Sequence, residues 1–157
     1  MDTTYTGYYP SPIGLFAITC NRSSVLSANF VASPFMNASP NAPSILDEAL
    51  SQIDQYFMGI RRKFDLPFEL SGSPFYLKVW RELMTIPFGF TASYGEVAAR
   101  IGNPRACRAV GLANNRNPIS IIIPCHRVIG ANGKLVGYGG GLPRKEWLLA
   151  WEKRNFT

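Results

Sequence analysis

The chain has one histidine in 157 residues and three cysteines, Cys20, Cys107 and Cys125, at wide spacings. A single histidine cannot assemble a typical Cys/His zinc centre, so no metal and no cofactor is expected. An odd number of scattered cysteines argues against a disulfide framework and leaves at least one thiol free. No apolar run approaches the roughly 18 residues that span a bilayer. The start, MDTTYTGYYPSPIG, lacks both the basic residues and the apolar stretch of a secretory signal. These absences exclude a disulfide scaffold and predict an intracellular protein, cytoplasmic or, in a eukaryote, nuclear, with no membrane partner.

Acidic residues are also scarce, and unevenly so. Residues 73–157 contain only Glu82, Glu96, Glu146 and Glu152 against twelve Lys and Arg, a net charge of +8, whereas residues 1–72 carry four basic and six acidic side chains, a net charge of −2. A basic half of this kind is drawn to polyanions, nucleic acid first. A merely soluble basic surface is the competing reading.

What is present suggests an α+β chain in two parts. Up to about residue 70, β-like runs at Ile13 to Thr19 and Val25 to Val31 precede one helix. That helix carries Leu46, Leu50, Ile53 and Phe57 at helical spacing, acidic Asp47 and Glu48 in its first turn, and Gly59 at its stop. A further short strand is predicted over FDLPFEL. Ser71-Gly72-Ser73-Pro74 marks the expected boundary, giving a small support domain over 1–72, of short antiparallel strands plus a helix, and a mainly helical domain over 73–157. In the second domain a helix capped by Ser73 should run to about Ile86, and a second from Ser93 to Ile101. A third should start at Asn103-Pro104 and run towards Ala113. Two helices joined by Gly102-Asn103-Pro104 suggest a helix-turn-helix with Arg105 and Arg108 at the front of its second helix, although a helical hairpin in a core has the same pattern.

Chemistry is concentrated further on. Ile119-Ser120-Ile121-Ile122-Ile123 must be nearly all buried, and it ends abruptly at Pro124, Cys125, His126 and Arg127. A thiol is mostly protonated at neutral pH and becomes a nucleophile when a base or a positive charge favours the thiolate. His126 can be that base, through a turn or a bridging water, since neighbours on an extended chain point apart. A carboxylate should orient the imidazole, and Glu146, at the start of the last helix, is the candidate among the four acids of this half. An isolated Cys-His pair is nonetheless more often structural than reactive.

The string Ile123-Pro124-Cys125-His126-Arg127-Val128 resembles the active-site motif of the O6-alkylguanine-DNA alkyltransferases. Ser93-Tyr94-Gly95-Glu96-Val97-Ala98, Arg108-Ala109-Val110-Gly111, Asn117-Pro118, Gly137-Tyr138 and Lys145-Glu146-Trp147-Leu148-Leu149 follow in that family's order. The resemblance covers residues 73–157, and over 1–72 it rests mainly on Ser11-Pro12-Ile13-Gly14. It implies stoichiometric, irreversible transfer of an alkyl group from O6-alkylguanine in DNA, with O4-alkylthymine as a further candidate lesion, to Cys125. His126 would activate the thiol through a water, Glu146 would orient His126, and Asn117 would shape the turn. Arg108 would fill the base stack and Tyr94 would press on the 3′ phosphate and assist proton donation. Ser93, Pro118, Val128, Tyr138 and Gly139 would line the pocket for a base flipped from double-stranded DNA, bound by a monomer through the minor groove. The competing functions are a sensor that binds alkylated bases without repairing them, which lacks the acceptor cysteine, and a cysteine hydrolase.

Overall fold

Alternation of apolar side chains makes the first third of the chain a sheet. In the computed structural model, which describes residues 3–156, strands β1 (Tyr5–Ser11), β2 (Gly14–Cys20) and β3 (Val25–Val31) form an antiparallel meander in that order. Phe16, Ile18 and Cys20 all point to one face and are fully buried. Helix α1 (Ser44–Phe57) covers that face with Leu46, Ala49, Ile53, Tyr56 and Phe57. The approach is close, since a Cβ on Gly7 of β1 would lie 2.9 Å from Leu50 Cδ1. Each large apolar side chain buried this way contributes about 1.5–3 kcal/mol.

Two expectations for this region change. β1 is a full strand that the sequence reading did not single out. Gly7 and Pro10 weaken its strand pattern, and its pairing with β2 across the tight turn before Gly14 supplies the order. FDLPFEL, in contrast, is not a strand. Pro67 lacks an N–H, and the segment makes only a single parallel bridge between Val25 and Phe68.

The chain divides into two compact units, Met1–Leu70 and Ser71–Thr157. The second opens with α2 (Pro74–Leu83), whose cap Ser73 accepts a hydrogen bond from the Tyr76 amide. α2 stops short of Ile86 because the chain tightens into i→i−3 bonds, Thr85 N to Glu82 O and Ile86 N to Leu83 O. A two-residue strand β4 (Ala92–Ser93) leads into α3 (Tyr94–Arg100), where Ser93 and Glu96 form a reciprocal capping box. α4 (Cys107–Asn115) packs against α3 and completes the helix-turn-helix. It begins later than Asn103, because residues 103–106 close a turn through Ala106 N to Asn103 O and only then does the helical ladder start. A 3₁₀ turn (Cys125–Arg127), strand β5 (Val128–Ile129) parallel to β4, and α5 (Leu142–Arg154) complete the unit around Val79, Leu83, Val97, Val110, Ile119, Ile123 and Leu148. Among the described residues no helix is long and apolar enough to cross a membrane.

Candidate active site

The apolar run before Cys125 is buried, as its composition requires, yet it is a coiled loop rather than a strand. Ile122 N bonds to Ser120 O and Ile123 N to Ile119 O, which forces Ile121 to φ 68°. A β-branched residue in the left-handed region costs about 1–3 kcal/mol and persists only where its surroundings impose it. Asn117 imposes it. Its Oδ1 accepts from Ile119 N at 3.0 Å and its Nδ2 donates to Ile123 O at 2.7 Å. The loop so clamped delivers Pro124 and the 3₁₀ turn, and with it the Cys125 thiol, to a fixed place.

Cys125 is 3% exposed and His126 fully buried. Burial pushes the thiol up to about 11, opposed by the Asn117 amide, the Lys145 ammonium and the backbone N–H groups of Cys125 and His126. Burial likewise lowers His126, against the pull of Glu152. Glu152 Oε2 lies 2.6 Å from His126 Nε2. The same carboxylate accepts from Arg127 Nε at 2.8 Å, from Arg127 Nη2 at 3.1 Å and from the Gly89 amide at 3.3 Å. Burial alone would raise this carboxyl, but His126 and Arg127 outweigh it and hold it well below the usual carboxylate range. An ionised Glu152 can only accept, so Nε2 carries the imidazole proton and Nδ1 presents a lone pair. Nδ1 has no hydrogen-bond partner among the described residues.

A second buried cation closes the other side. Lys145, fully buried on α5, donates to the carbonyls of Val128, Val136 and Gly137 and is lowered to about 8, chiefly by burial. Tyr94 donates to Val136 O at 2.7 Å, so Lys145 and Tyr94 together pin the loop that carries Gly137 and Tyr138. Gly137 sits at φ 63°, and a Cβ there would meet the Asn115 side chain at 3.1 Å, which makes glycine the fitting residue. Tyr138 is buried, its hydroxyl without a partner among the described residues and raised well above 10 by burial. Beside this lies a cavity of about 460 Å³ whose walls include Ser93, Tyr94, Cys107, Arg108, Asn115 and Gly137.

A buried thiol, an oriented neutral imidazole and a basic helix-turn-helix in one unit narrow the chemistry to a nucleophilic cysteine beside a polyanion-binding face. Comparison with known proteins decides the family. Residues 74–154 match the model of the 6-O-methylguanine DNA methyltransferase DNA-binding domain, and residues 4–70 that of its ribonuclease-like domain. The chain belongs to the 6-O-methylguanine DNA methyltransferase family. It is 50% identical over 149 residues to the methylated-DNA–protein-cysteine methyltransferase of Mycolicibacterium paratuberculosis, covering 92% of this chain and 90% of that one. The crystal structure of the Mycobacterium tuberculosis O6-methylguanine methyltransferase superposes with a TM-score of 0.88 at 43% identity, over 98% of this chain and 94% of the other. A structure of Mycobacterium tuberculosis OGT in complex with DNA gives 0.87 at 45% identity, over 96% and 93%.

For this family member, the structure gathers most of the residues expected from sequence and separates one. Cys125, His126, Asn117, Tyr94, Val128 and Tyr138 belong to one cluster. Ser93, Tyr94 and Arg108 line the cavity. Arg105 is exposed in the turn before α4, Pro118 is half-buried next to Asn117, and Gly139 is exposed beside the Asn115 carbonyl. Glu146 is the misassignment. It is exposed on α5, while Glu152 on the buried face holds His126. Six residues along a helix turn through about 600°, so the two glutamates face different ways. The signal was available: Lys145, Leu148 and Glu152 recur at i, i+3 and i+7, one helical stripe. Sequence reasoning also assigned no role to Arg127, Lys145 or Asn114, all polar and all buried here. Among the described residues no group of three or more His, Cys, Asp or Glu is placed to hold a metal ion.

Proposed function

We propose that the chain repairs DNA by moving an alkyl group from O6 of guanine to Cys125, once per molecule. The observation that carries this reading is the Cys125–His126–Glu152 arrangement. It combines a thiol held by a strained, clamped loop with a neutral imidazole whose protonated nitrogen is fixed on a carboxylate and whose free nitrogen is unpaired. The thiol proton passes to His126 Nδ1 through a water as sulfur attacks the alkyl carbon. The carbon–O6 bond breaks, its electron pair leaves with the guanine, and a proton returned through the site, with Tyr94 assisting, makes the base neutral. The product is a thioether, which has no easy leaving group, so the protein does not turn over.

Double-stranded DNA carrying the lesion would bind as the partner of a monomer, through its minor groove against the helix-turn-helix, with Arg105 and Arg108 facing the backbone and the base stack. Extruding the base costs a few kcal/mol, which an inserted Arg108 offsets in part. Ser93, Pro118, Val128, Tyr138 and Gly139 would surround the extruded base. Residues 1–72 would serve as a support domain, and residues 73–157 would bind DNA and transfer the alkyl group.

Intact mass and peptide mapping after incubation with excess duplex DNA containing O6-methylguanine test the reading. One methyl group on Cys125, saturating at one per protein and absent in Cys125→Ser, is the expected result. Unmodified protein that still binds the lesion would overturn it in favour of a sensor.

A further inference from the structure

Helix α5 ends at Arg154, where the backbone and side-chain amides of Asn155 both donate to Trp151 O, at 3.1 and 2.8 Å. Just beyond, Phe156 lies against the loop between α2 and β4. There residues 87–90 form a turn closed by Phe90 N to Pro87 O at 3.0 Å, with Gly89 in its third position at φ 84°. The Phe156 ring rests on Gly89, since a Cβ at that position would overlap it, lying 3.0 Å from Cγ. It also meets the Phe90 ring edge to face, with centroids 5.1 Å apart. Glycine is thus required twice at position 89, by its backbone angle and by the ring packed on it. The same segment supplies three contacts to the ion pair beside His126. Ile86 O accepts from Arg127 Nη1 at 2.7 Å, the Phe88 ring lies 5.8 Å from Arg127 Cζ, and the Gly89 amide donates to Glu152 Oε1 at 3.3 Å. A continuous chain of contacts therefore runs from Phe156 through Gly89 and Glu152 to the imidazole.

We propose that Phe156 is a positioning residue, which presses the segment 86–90 onto Glu152 and Arg127 and so fixes the aim of the His126 imidazole at Cys125. The consequence for alkyl transfer deepens the function proposed above and rests on it. Reacting groups keep a productive geometry only where the residues behind them are themselves locked by packing. Without the ring, the turn at Gly89 is free to swing away from Glu152, water reaches the carboxylate, and it competes for the bond that holds the Nε2 proton. Phe156 is 40% exposed, so its loss opens no cavity in the core and leaves the fold standing.

The chain has a single histidine, so in protein labelled with nitrogen-15 histidine the imidazole N–H gives one unambiguous NMR signal. The test follows solvent exchange of that proton and of the backbone amides in wild type, Phe156→Ala and Phe156→Leu, beside single-turnover transfer from duplex O6-methylguanine. In Phe156→Ala the imidazole proton and the Gly89 amide should exchange about tenfold faster, as the loss of one hydrogen bond to a charged group implies. The amides of α2 should keep their wild-type rates, and transfer should slow by a similar factor. Phe156→Leu, which still covers Gly89 with an apolar side chain, should recover most of both. Unchanged exchange at His126 and Gly89 in Phe156→Ala overturns the inference. So does exchange that quickens evenly through the whole unit, because Phe156 would then serve overall stability alone. Faster imidazole exchange with an undiminished transfer rate overturns its part in the reaction. Absence of transfer by the wild-type protein overturns the proposed function instead, while the imidazole signal still decides whether Phe156 positions His126.

Discussion

Replacing Glu152 with Gln should damage both stability and reaction, whereas the same change at Glu146 should do neither. Glu152 is 1% exposed and accepts hydrogen bonds from Arg127 Nε and Nη2, from His126 Nε2 and from the Gly89 amide. Gln keeps the shape but removes the charge, and it turns one acceptor into a donor that must face His126 or Arg127. Removing one partner of a buried ion pair costs about 3–5 kcal/mol, because the remaining guanidinium is left uncompensated. Glu146 is exposed, so its substitution should fall within about 0.5 kcal/mol. Urea denaturation followed by tryptophan fluorescence measures both. On protein that remains folded, single-turnover transfer should slow by about 10²-fold in Glu152→Gln, as expected when a general base loses its tautomer and aim, and should be unchanged in Glu146→Gln. The pH dependence has a definite sign. Glu152 is held below its ordinary value, so at pH below about 4.5 the unfolded chain takes up a proton there that the folded chain does not. The stability it contributes is therefore present above that pH and is lost on acidification. The gap between wild type and Glu152→Gln should narrow as the pH falls from 5 to 3. A gap that widens, or a slow Glu146→Gln beside a normal Glu152→Gln, would refute the assignment of the carboxylate.

Arg108→Ala should slow repair in duplex DNA more than reaction with free O6-benzylguanine, because only the duplex needs its stack filled; equal losses in the two assays would remove Arg108 from base extrusion. Lys145→Met leaves the carbonyls of Val128, Val136 and Gly137 without their shared donor, so hydrogen exchange over residues 134–139 should speed up and transfer should slow. Unchanged exchange would show that Tyr94 alone pins that loop. Asn117→Ala removes both clamps on the loop bearing Ile121 at positive φ, and should destabilise the protein by about 2–3 kcal/mol, read by denaturation, since two hydrogen bonds go, Ile119 N loses its acceptor and Ile123 O keeps only Cys125 N.

What the sequence made legible was local. Ser73-Pro74 and Ser93 with Glu96 are helix starts whose side chains satisfy the first free N–H groups, and both helices begin there. The α1 stripe of Leu46, Ile53 and Phe57 likewise shows its buried face directly. Less legible were features settled by partners far along the chain. β1 is made a strand by β2, and FDLPFEL is denied one by Pro67. Ile119 to Ile123 has strand-like composition, but Asn117 bends it by accepting from one end and donating to the other. Glu146 begins the helix, but which face a glutamate takes decides whether it meets His126. The fold placed the useful carboxylate where Lys145 and Leu148 already marked the inward stripe.

The electrostatics of the cluster bear on why a protein would use its cysteine once. Desolvation, the largest influence on Cys125, disfavours the thiolate, and the neighbouring amide, ammonium and backbone N–H groups only partly offset it. A resting thiol in such a site is kept mostly neutral, and in the proposed reaction it needs a base at hand, the role given there to the Nδ1 lone pair of His126. The thioether product carries no charge, so the burial that opposes the thiolate imposes no comparable penalty on the alkylated protein. Alkylation does, however, take an anionic form of Cys125 away from Lys145 for good, and it adds a methyl group to a space packed by Tyr94, Tyr138 and Asn117. Alkylated protein should therefore loosen first at the loop those side chains hold, residues 134–139, and limited proteolysis should cut there sooner than in unmodified protein. Identical cleavage rates would show that the site accommodates its product without strain.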